Sequence, residues 1–77
     1  MKIEVYGSGC AKCKKTVENV KLAVKKAGIN AEVVPVFDVK EVVKKGLSKT
    51  PAIFIDGHLK SAGNVLDVDE IAQLLTE

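Results

Sequence analysis

Hydrophobic and polar positions alternate at the start of the chain. Residues 2–6 have the period of two that is typical of a β-strand, with Ile3 and Val5 on one side. The other side carries Glu4 and Tyr6. From residue 11 to residue 27 the apolar positions recur instead at steps of three and four, which predicts one buried face of a helix. That face comprises Cys13, Val17, Val20, Val24 and Ala27.

The next segment predicts an edge strand and a short helix. Residues 31–37 have strand character, and Pro35 favours a place at the edge of a sheet because proline cannot donate to a strand ladder. Asp38 and Glu41 have the spacing of a capping box, in which the N-cap and the third helical residue bond each other's backbone. We therefore expect a helix whose apolar residues are Val39, Val42 and Val43.

The last third of the chain predicts a hairpin followed by a helix. Residues 52–55 are a nearly continuous apolar run, as expected of a strand covered on both faces. Asp56 and Gly57 then give a strong two-residue hairpin signal, so that residues 58–62 return as a second strand. Asp67 and Glu70 repeat the capping-box spacing before a final amphipathic helix.

The predicted element order is β-α-β-α-β-β-α over a single domain, residues 1–77. A strand–helix–strand start implies a parallel pair of strands joined by a right-handed crossover. The closing hairpin adds an antiparallel edge, which makes a four-stranded mixed sheet. With helices on both faces, the expected fold is a three-layer α/β/α sandwich.

Composition narrows the function classes. The 77 residues are 47% hydrophobic, yet no apolar run is long enough to cross a bilayer. The N-terminus shows no signal-peptide pattern, so we expect a cytoplasmic protein and no membrane partner. A net charge of +2 and 4% aromatic residues argue against nucleic acid as a ligand. We expect a monomer.

Both cysteines lie where the first strand turns into the long helix. Cys10 is at the predicted helix start and Cys13 is one turn later on the same side, so their sulfurs can meet. The first amides of a helix carry the positive end of its dipole, which stabilises a thiolate there and lowers the thiol pKa. The Lys12 charge also attracts a thiolate on Cys10, but this effect is small because the charge is exposed to solvent and is screened. Such a pair, outside a secreted protein, indicates redox chemistry or metal binding.

Three features resemble the thioredoxin superfamily, in the minimal form shared with glutaredoxins and found in small archaeal and bacterial redox-active disulfide proteins. They are the Cys10-Ala11-Lys12-Cys13 motif after the first strand, the Thr50-Pro51 pair, and the run from Pro51 to Gly57 that leads into a hairpin. The region of Gly63 before the last helix is also similar. The resemblance spans nearly the whole chain.

The resemblance implies a thiol–disulfide oxidoreductase that reduces protein disulfides and needs no cofactor beyond its own Cys10–Cys13 disulfide. Cys10 would be the exposed nucleophile and Cys13 the resolving thiol. Pro51 would be cis and lie against the disulfide, and Thr50 would offer backbone groups to a substrate chain. An electron-donating reductase or small thiol would restore the dithiol.

The resemblance also assigns supporting roles. Glu4, six residues before the first cysteine, takes the place of a buried acid that relays a proton to the resolving thiol, with a solubility role as the alternative. Tyr6 would line the rim of the site or serve only in packing. Ala11, Lys12 and Gly63 would contact substrate.

Three features of the sequence leave alternatives open. Thioredoxins have Trp before the first cysteine and Gly-Pro between the two, whereas this chain has Gly9 and Ala11-Lys12, so its redox potential and range of partners need not be those of thioredoxins. The chain also lacks the second glycine and nearby acid with which glutaredoxins hold glutathione. Residues 7–18 also resemble the start of heavy-metal-associated domains, which leaves Cu(I) or Zn(II) carriage through Cys10 and Cys13 as the alternative function. That family, however, runs β-α-β-β-α-β.

Overall fold

A computed structural model describes residues 1–9 and 11–76, and its element order is the one the sequence predicts. The elements are β1 (Lys2–Tyr6), α1 (Ala11–Ala27), β2 (Glu32–Val36), α2 (Val39–Lys44), β3 (Ala52–Ile55), β4 (His58–Ala62) and α3 (Val68–Leu75).

The four strands form one mixed sheet in the order β2-β1-β3-β4. β1 is parallel to β2 and antiparallel to β3, and the hairpin places β4 antiparallel to β3. β2 is therefore an edge strand, which confirms the prediction made from Pro35. Asp56 and Gly57 both have positive φ, 50° and 84°, as a tight two-residue hairpin turn requires.

One face of the sheet is covered by α1 and α3, which pack against each other. Ile3 and Val5 point into this layer from β1, and Ile53 and Ile55 do so from β3. The buried residues that complete this core are Val17, Val20, Ala23, Ile71 and Leu75. Burial of these apolar side chains supplies most of the driving force for folding, at roughly 1.5–3 kcal/mol for each large one.

The buried face of α1 differs from the predicted one. Thr16, Asn19 and Ala23 are buried, whereas Val24 and Ala27 are only half-buried. The two polar side chains are tolerated inside because both are hydrogen-bonded: Thr16 Oγ1 donates to the carbonyl of Lys12 (2.9 Å) and Asn19 Nδ2 to that of Leu66 (2.8 Å). The helix faces α3 as well as the sheet, which brings these extra positions into contact.

The opposite face of the sheet is covered by the short helix α2. Tyr6, Ala52 and Phe54 form a second, smaller core there, with Val42 and Leu47 packed against it. The rings of Tyr6 and Phe54 meet edge to face with centroids 5.1 Å apart. Lys45 Nζ lies over both rings, 5.7 Å and 5.3 Å from their centroids, so its charge closes the cluster through cation–π attraction.

The predicted apolar face of α2 is only partly buried. Val42 packs inward, but Val39 and Val43 are 60% and 70% exposed. The three valines share one side of the helix, so their unequal burial means that only the part of this side around Val42 contacts the sheet. Its start is also simpler than the capping box predicted: Asp38 accepts from the Lys40 amide, while the Glu41 side chain accepts from Lys44 instead of the N-cap backbone.

The start of α3 does form the predicted capping box. The Asp67 side chain accepts from the Glu70 amide (2.8 Å), and the Glu70 side chain accepts from the Asp67 amide. Two helix-terminal amides that have no intrahelical partner are satisfied in this way.

Replacing Asp67 with Ala should lower the free energy of unfolding by about 1 kcal/mol, because one cap acceptor is lost. Urea unfolding followed by far-UV circular dichroism would measure the change. Asp67→Asn keeps the acceptor and should retain most of the stability. If Asn costs as much as Ala, the charge at the helix start, rather than the capping hydrogen bond, stabilises α3.

Ionisation of the Tyr6 phenol should make the folding stability of the protein depend on pH in alkaline solution. Burial, the hydrogen bond that Tyr6 Oη donates to Glu4 Oε2 (3.0 Å), and the nearby Glu4 and Glu41 charges raise the phenol pKa above its ordinary value of 10.0. Because the unfolded chain ionises first, the stability that neutral Tyr6 contributes is complete below pH 10 and is lost as pH rises through the folded-state pKa.

The stability difference between the wild type and Tyr6→Phe should therefore be flat from pH 7 to pH 9 and should shrink above about pH 10. Denaturant unfolding of both proteins across this range measures it, and the lysines titrate in both, so their effects cancel. Parallel stability curves up to pH 11 would show that Tyr6 ionisation is not linked to folding.

Candidate functional site

The register of the strands brings several candidate residues to one edge of the sheet. One row of paired residues runs across all four strands: Val36, Tyr6, Ala52 and Ala62. The residues that adjoin this row are Phe37, Gly7, Pro51 and Gly63, and we refer to these four as the site edge. The turn that leads to the cysteine motif and the Thr50-Pro51 pair are therefore neighbours, although 43 positions separate Gly7 from Thr50 in the sequence.

Cys13 lies in the first turn of α1 and packs directly on Gly7. Both residues are buried. A methyl group placed on Gly7 with ideal geometry would lie 2.2 Å from Cys13 Sγ and 3.0 Å from Cys13 Cβ. The Cys13 sulfur therefore occupies the space that a side chain at position 7 would need.

The turn at residues 7–9 is held from the side of β2. The Gly7 amide donates to the carbonyl of Val36 (3.1 Å), which extends the β1–β2 pairing beyond the strand end. Phe37 follows directly, and its side chain lies against Gly9, within 3.6 Å of an ideal Cβ there. Gly9 has φ 82°, a conformation that glycine adopts without strain.

Pro51 opens β3 on the other side of this turn. The Thr50–Pro51 peptide bond is cis, the geometry that the resemblance implies. Pro51 is buried and Thr50 is half-buried. The carbonyl of Pro51 accepts from the Gly63 amide (2.9 Å), which ties the end of β4 to the start of β3. Gly63 is exposed and has φ 82°, and the Lys49 side chain packs beside it.

Of the two cysteines of the motif, the structure describes Cys13. Cys13 is fully buried, whereas Ala11 and Lys12, which precede it on the first turn of α1, are exposed. Cys10, the predicted nucleophile, lies outside the described residues. The motif therefore presents residues 11 and 12 to solvent and holds its second sulfur inside.

Glu4 and Tyr6 lie on the other face of the sheet. They alternate along β1 with Ile3 and Val5, which face α1, so their side chains point toward the α2 layer. Glu4 accepts from Tyr6 Oη, and Tyr6 is 4% exposed against Phe54. This placement fits the packing role for Tyr6, and it aims the Glu4 carboxylate away from the face that carries Cys13.

Two residues of the site edge were missed as functional candidates. From the sequence, Gly7 and Gly9 predict only a tight turn before the helix, and Phe37 only the end of the second strand. The spacing of two glycines before the first cysteine was a usable signal for Gly7. Phe37 had none, because its contact with Gly9 comes from the pairing of β1 with β2.

The described residues show neither a cluster of metal ligands nor a membrane-spanning helix. Within residues 1–9 and 11–76, no group of three or more His, Cys, Asp or Glu side chains is arranged to hold a metal ion. Over the same residues, none of the helices combines the length and apolar character needed to span a membrane. The observed element order also differs from the β-α-β-β-α-β order of heavy-metal-associated domains.

Comparison with known proteins agrees with this geometry. A family model described as a thioredoxin domain matches residues 1–76. A thioredoxin of Methanothermobacter thermautotrophicus is 38% identical over 76 residues, which cover 99% of each chain. A thioredoxin of Methanocaldococcus jannaschii is 41% identical over 73 residues, which cover 95% of this chain and 84% of the relative. Nothing in these matches favours metal carriage. The chain belongs to the thioredoxin domain family and is a thiol–disulfide oxidoreductase.

Proposed function

We propose that the protein reduces disulfides of other proteins through a Cys10/Cys13 dithiol, with Cys10 as the attacking thiolate and Cys13 as the resolving thiol. The observation that carries this assignment is the complete burial of Cys13 against Gly7. A sulfur without exposed surface does not reach a disulfide on a folded or extended protein substrate. The first attack therefore falls to Cys10, since the chain has two cysteines.

The reaction then proceeds in two exchanges. The Cys10 thiolate attacks one sulfur of the substrate disulfide, which breaks that bond, forms a mixed disulfide and releases the other substrate sulfur as a thiolate that takes up a proton. Cys13, having lost its proton, attacks the Cys10 sulfur, closes the Cys10–Cys13 disulfide and releases the second substrate thiolate, which is protonated in turn. Two electrons and two protons pass from the protein to the substrate.

The site edge offers a place for the substrate chain. Thr50 and Gly63 lie at the surface on either side of the buried Pro51, and the hydrogen bond between Gly63 and Pro51 fixes their spacing. A substrate segment lying along Thr50 would bring its sulfur to the exposed side of the motif, at Ala11 and Lys12. Small and flexible side chains there leave room for substrates of different sequence.

Repeated turnover requires a partner that returns the disulfide to the dithiol. An electron-donating reductase or a small thiol supplies the two electrons, and disulfide-containing proteins consume them. We place this cycle in the cytoplasm, where glutathione and related systems keep thiols reduced. We also propose that the protein works as a monomer.

The first test uses single cysteine variants in the reduction of a disulfide-bonded protein such as insulin, with dithiothreitol as electron donor. Cys10→Ser and Cys13→Ser should both fall to the uncatalysed rate. Only Cys13→Ser should accumulate a mixed disulfide with substrate, because it can attack but cannot resolve. To trap the adduct, each variant is reduced beforehand, freed of dithiothreitol, mixed with insulin and quenched with acid, and mass spectrometry then detects the mixed disulfide.

The matched control is Lys21→Ala, an exposed position of α1 beyond the motif, which should reduce insulin at the wild-type rate. If Cys10→Ser, rather than Cys13→Ser, accumulates the adduct, the two roles are reversed.

A second test addresses the direction of electron flow. The wild-type dithiol should titrate in a single two-electron transition nearer to about −270 mV than to about −120 mV, as suits a reductant. Equilibration with dithiothreitol buffers, followed by alkylation of free thiols, measures the transition. A value near the upper figure would make the protein an oxidant of thiols instead.

A further inference from the structure

We infer that Gly7 is a positioning residue for the redox reaction: its missing side chain provides the space that holds the Cys13 sulfur where it can reach Cys10. The inference rests on the proposed dithiol function and adds a residue that influences the equilibrium between the dithiol and the disulfide. Gly7 itself touches neither substrate nor a reacting atom of the substrate.

The space beside Cys13 has no room for a side chain at position 7. Nonbonded heavy atoms are in favourable contact at about 3.5–4.0 Å, and an ideal Cβ at position 7 would lie 2.2 Å from Cys13 Sγ. The φ angle of Gly7 is not positive, unlike that of Gly9. Glycine is therefore needed at position 7 for space, and a backbone conformation forbidden to alanine is not the reason.

The backbone at Gly7 has little freedom to move away from the Cys13 sulfur. Its amide is bonded to the Val36 carbonyl at 3.1 Å, and the residue is buried at the end of the central strand. Phe37 lies against the same turn, with one ring carbon 4.0 Å from the ideal Cβ of Gly7 and two others 3.7 Å from that of Gly9. A side chain added at position 7 must therefore displace the sulfur rather than the strand.

The position of the Cys13 sulfur affects the equilibrium between the dithiol and the disulfide. A disulfide fixes the separation of its two sulfurs, whereas the two thiols of the reduced form can rotate independently. Displacing the Cys13 sulfur therefore costs the oxidised form more than the reduced form. The dithiol becomes harder to oxidise, so the reduction potential becomes less negative.

The test is the thiol–disulfide equilibrium of Gly7→Ala against dithiothreitol. We expect the equilibrium constant for forming the Cys10–Cys13 disulfide to fall at least tenfold, which corresponds to about 30 mV for two electrons. The matched control is Gly28→Ala. Gly28 has φ 67°, so alanine there is strained and should also lower stability, but nothing lies within 4 Å of its ideal Cβ. It follows the far end of the 17-residue α1, about 25 Å from the start of that helix, so it controls for lost stability without displacing the sulfur. The equilibrium constant for disulfide formation in Gly28→Ala should stay within threefold of the wild-type value.

A double variant separates positioning from general destabilisation. Phe37→Ala removes the side chain that confines the turn, so the Gly7→Ala/Phe37→Ala protein should recover at least half of the shift on a logarithmic scale. A merely structural role for Gly7 predicts the opposite, because two destabilising changes would add. A Gly7→Ala constant within threefold of wild type overturns the inference, and so does a double variant shifted further than the single one.

The stability of the same residues provides a readout that does not depend on redox activity. If Gly7→Ala fails to fold, Gly7→Ala/Cys13→Gly should fold with a thermal midpoint near that of Cys13→Gly, because both the sulfur and the Cβ that would lie 3.0 Å from the new methyl group have been removed. If that pair also fails to fold, the sulfur is not the obstacle and the inference is wrong. A wild-type protein that forms no Cys10–Cys13 disulfide would instead refute the proposed function and leave this steric result standing.

Discussion

The five residues of β1 are paired along nearly their whole length, with β2 on one side and β3 on the other. Each face of this one strand supplies a different core: Ile3 and Val5 enter the α1–α3 layer, and Tyr6 enters the α2 layer. A slip of one residue in the register would exchange the two faces and bury the Glu4 carboxylate among the aliphatic side chains. The same pairing places Gly7 beside Pro51. The register of β1 thus fixes both packing layers and the site.

The two layers stabilise the sheet by different means. The α1–α3 side is aliphatic and is supplemented by two buried polar residues, Thr16 and Asn19, whose hydrogen bonds are complete. The α2 side is small and depends on an aromatic pair, Tyr6 and Phe54, with the Lys45 charge over both rings. The redox motif belongs to the first layer, since Cys13 is part of α1. A rigid layer under the motif suits a site whose chemistry depends on where one buried sulfur lies.

The sequence was sufficient to predict features that follow from local rules. Pro35 indicated an edge strand because it lacks an amide hydrogen, and Asp67 with Glu70 indicated a capping box; both are present. Local rules failed where a distant partner decides the outcome. Asn19 is buried because the Leu66 carbonyl, 47 residues away, receives its hydrogen bond.

The candidate site shows the same division between local and distant causes. Its place after β1 and the Thr50-Pro51 pair could be read from the residues, together with the resemblance they carry. The steric demand on Gly7 could not, because a pair of glycines before a helix indicates a turn whether or not a sulfur lies against one of them. Spacing alone likewise could not show that the Glu4 side chain faces the α2 layer, since that depends on which face of β1 the helix α1 covers.

The thinness of the α2 layer makes the stability of the protein uneven. Opening residues 39–47 would uncover Tyr6, Ala52 and Phe54 but little apolar surface of the segment itself. Val39 and Val43 already lie largely in solvent, and Val42 and Leu47 are only partly buried. The free energy of local opening is set by the contacts that are lost, so this segment should open at lower cost than β1 or the centre of α1, which pack in the larger aliphatic core. Amide protons of α2 therefore exchange through brief local excursions, whereas those of β1 and the centre of α1 wait for the whole domain to unfold. The α1–α3 layer, which carries Cys13, should therefore stay folded while residues 39–47 open.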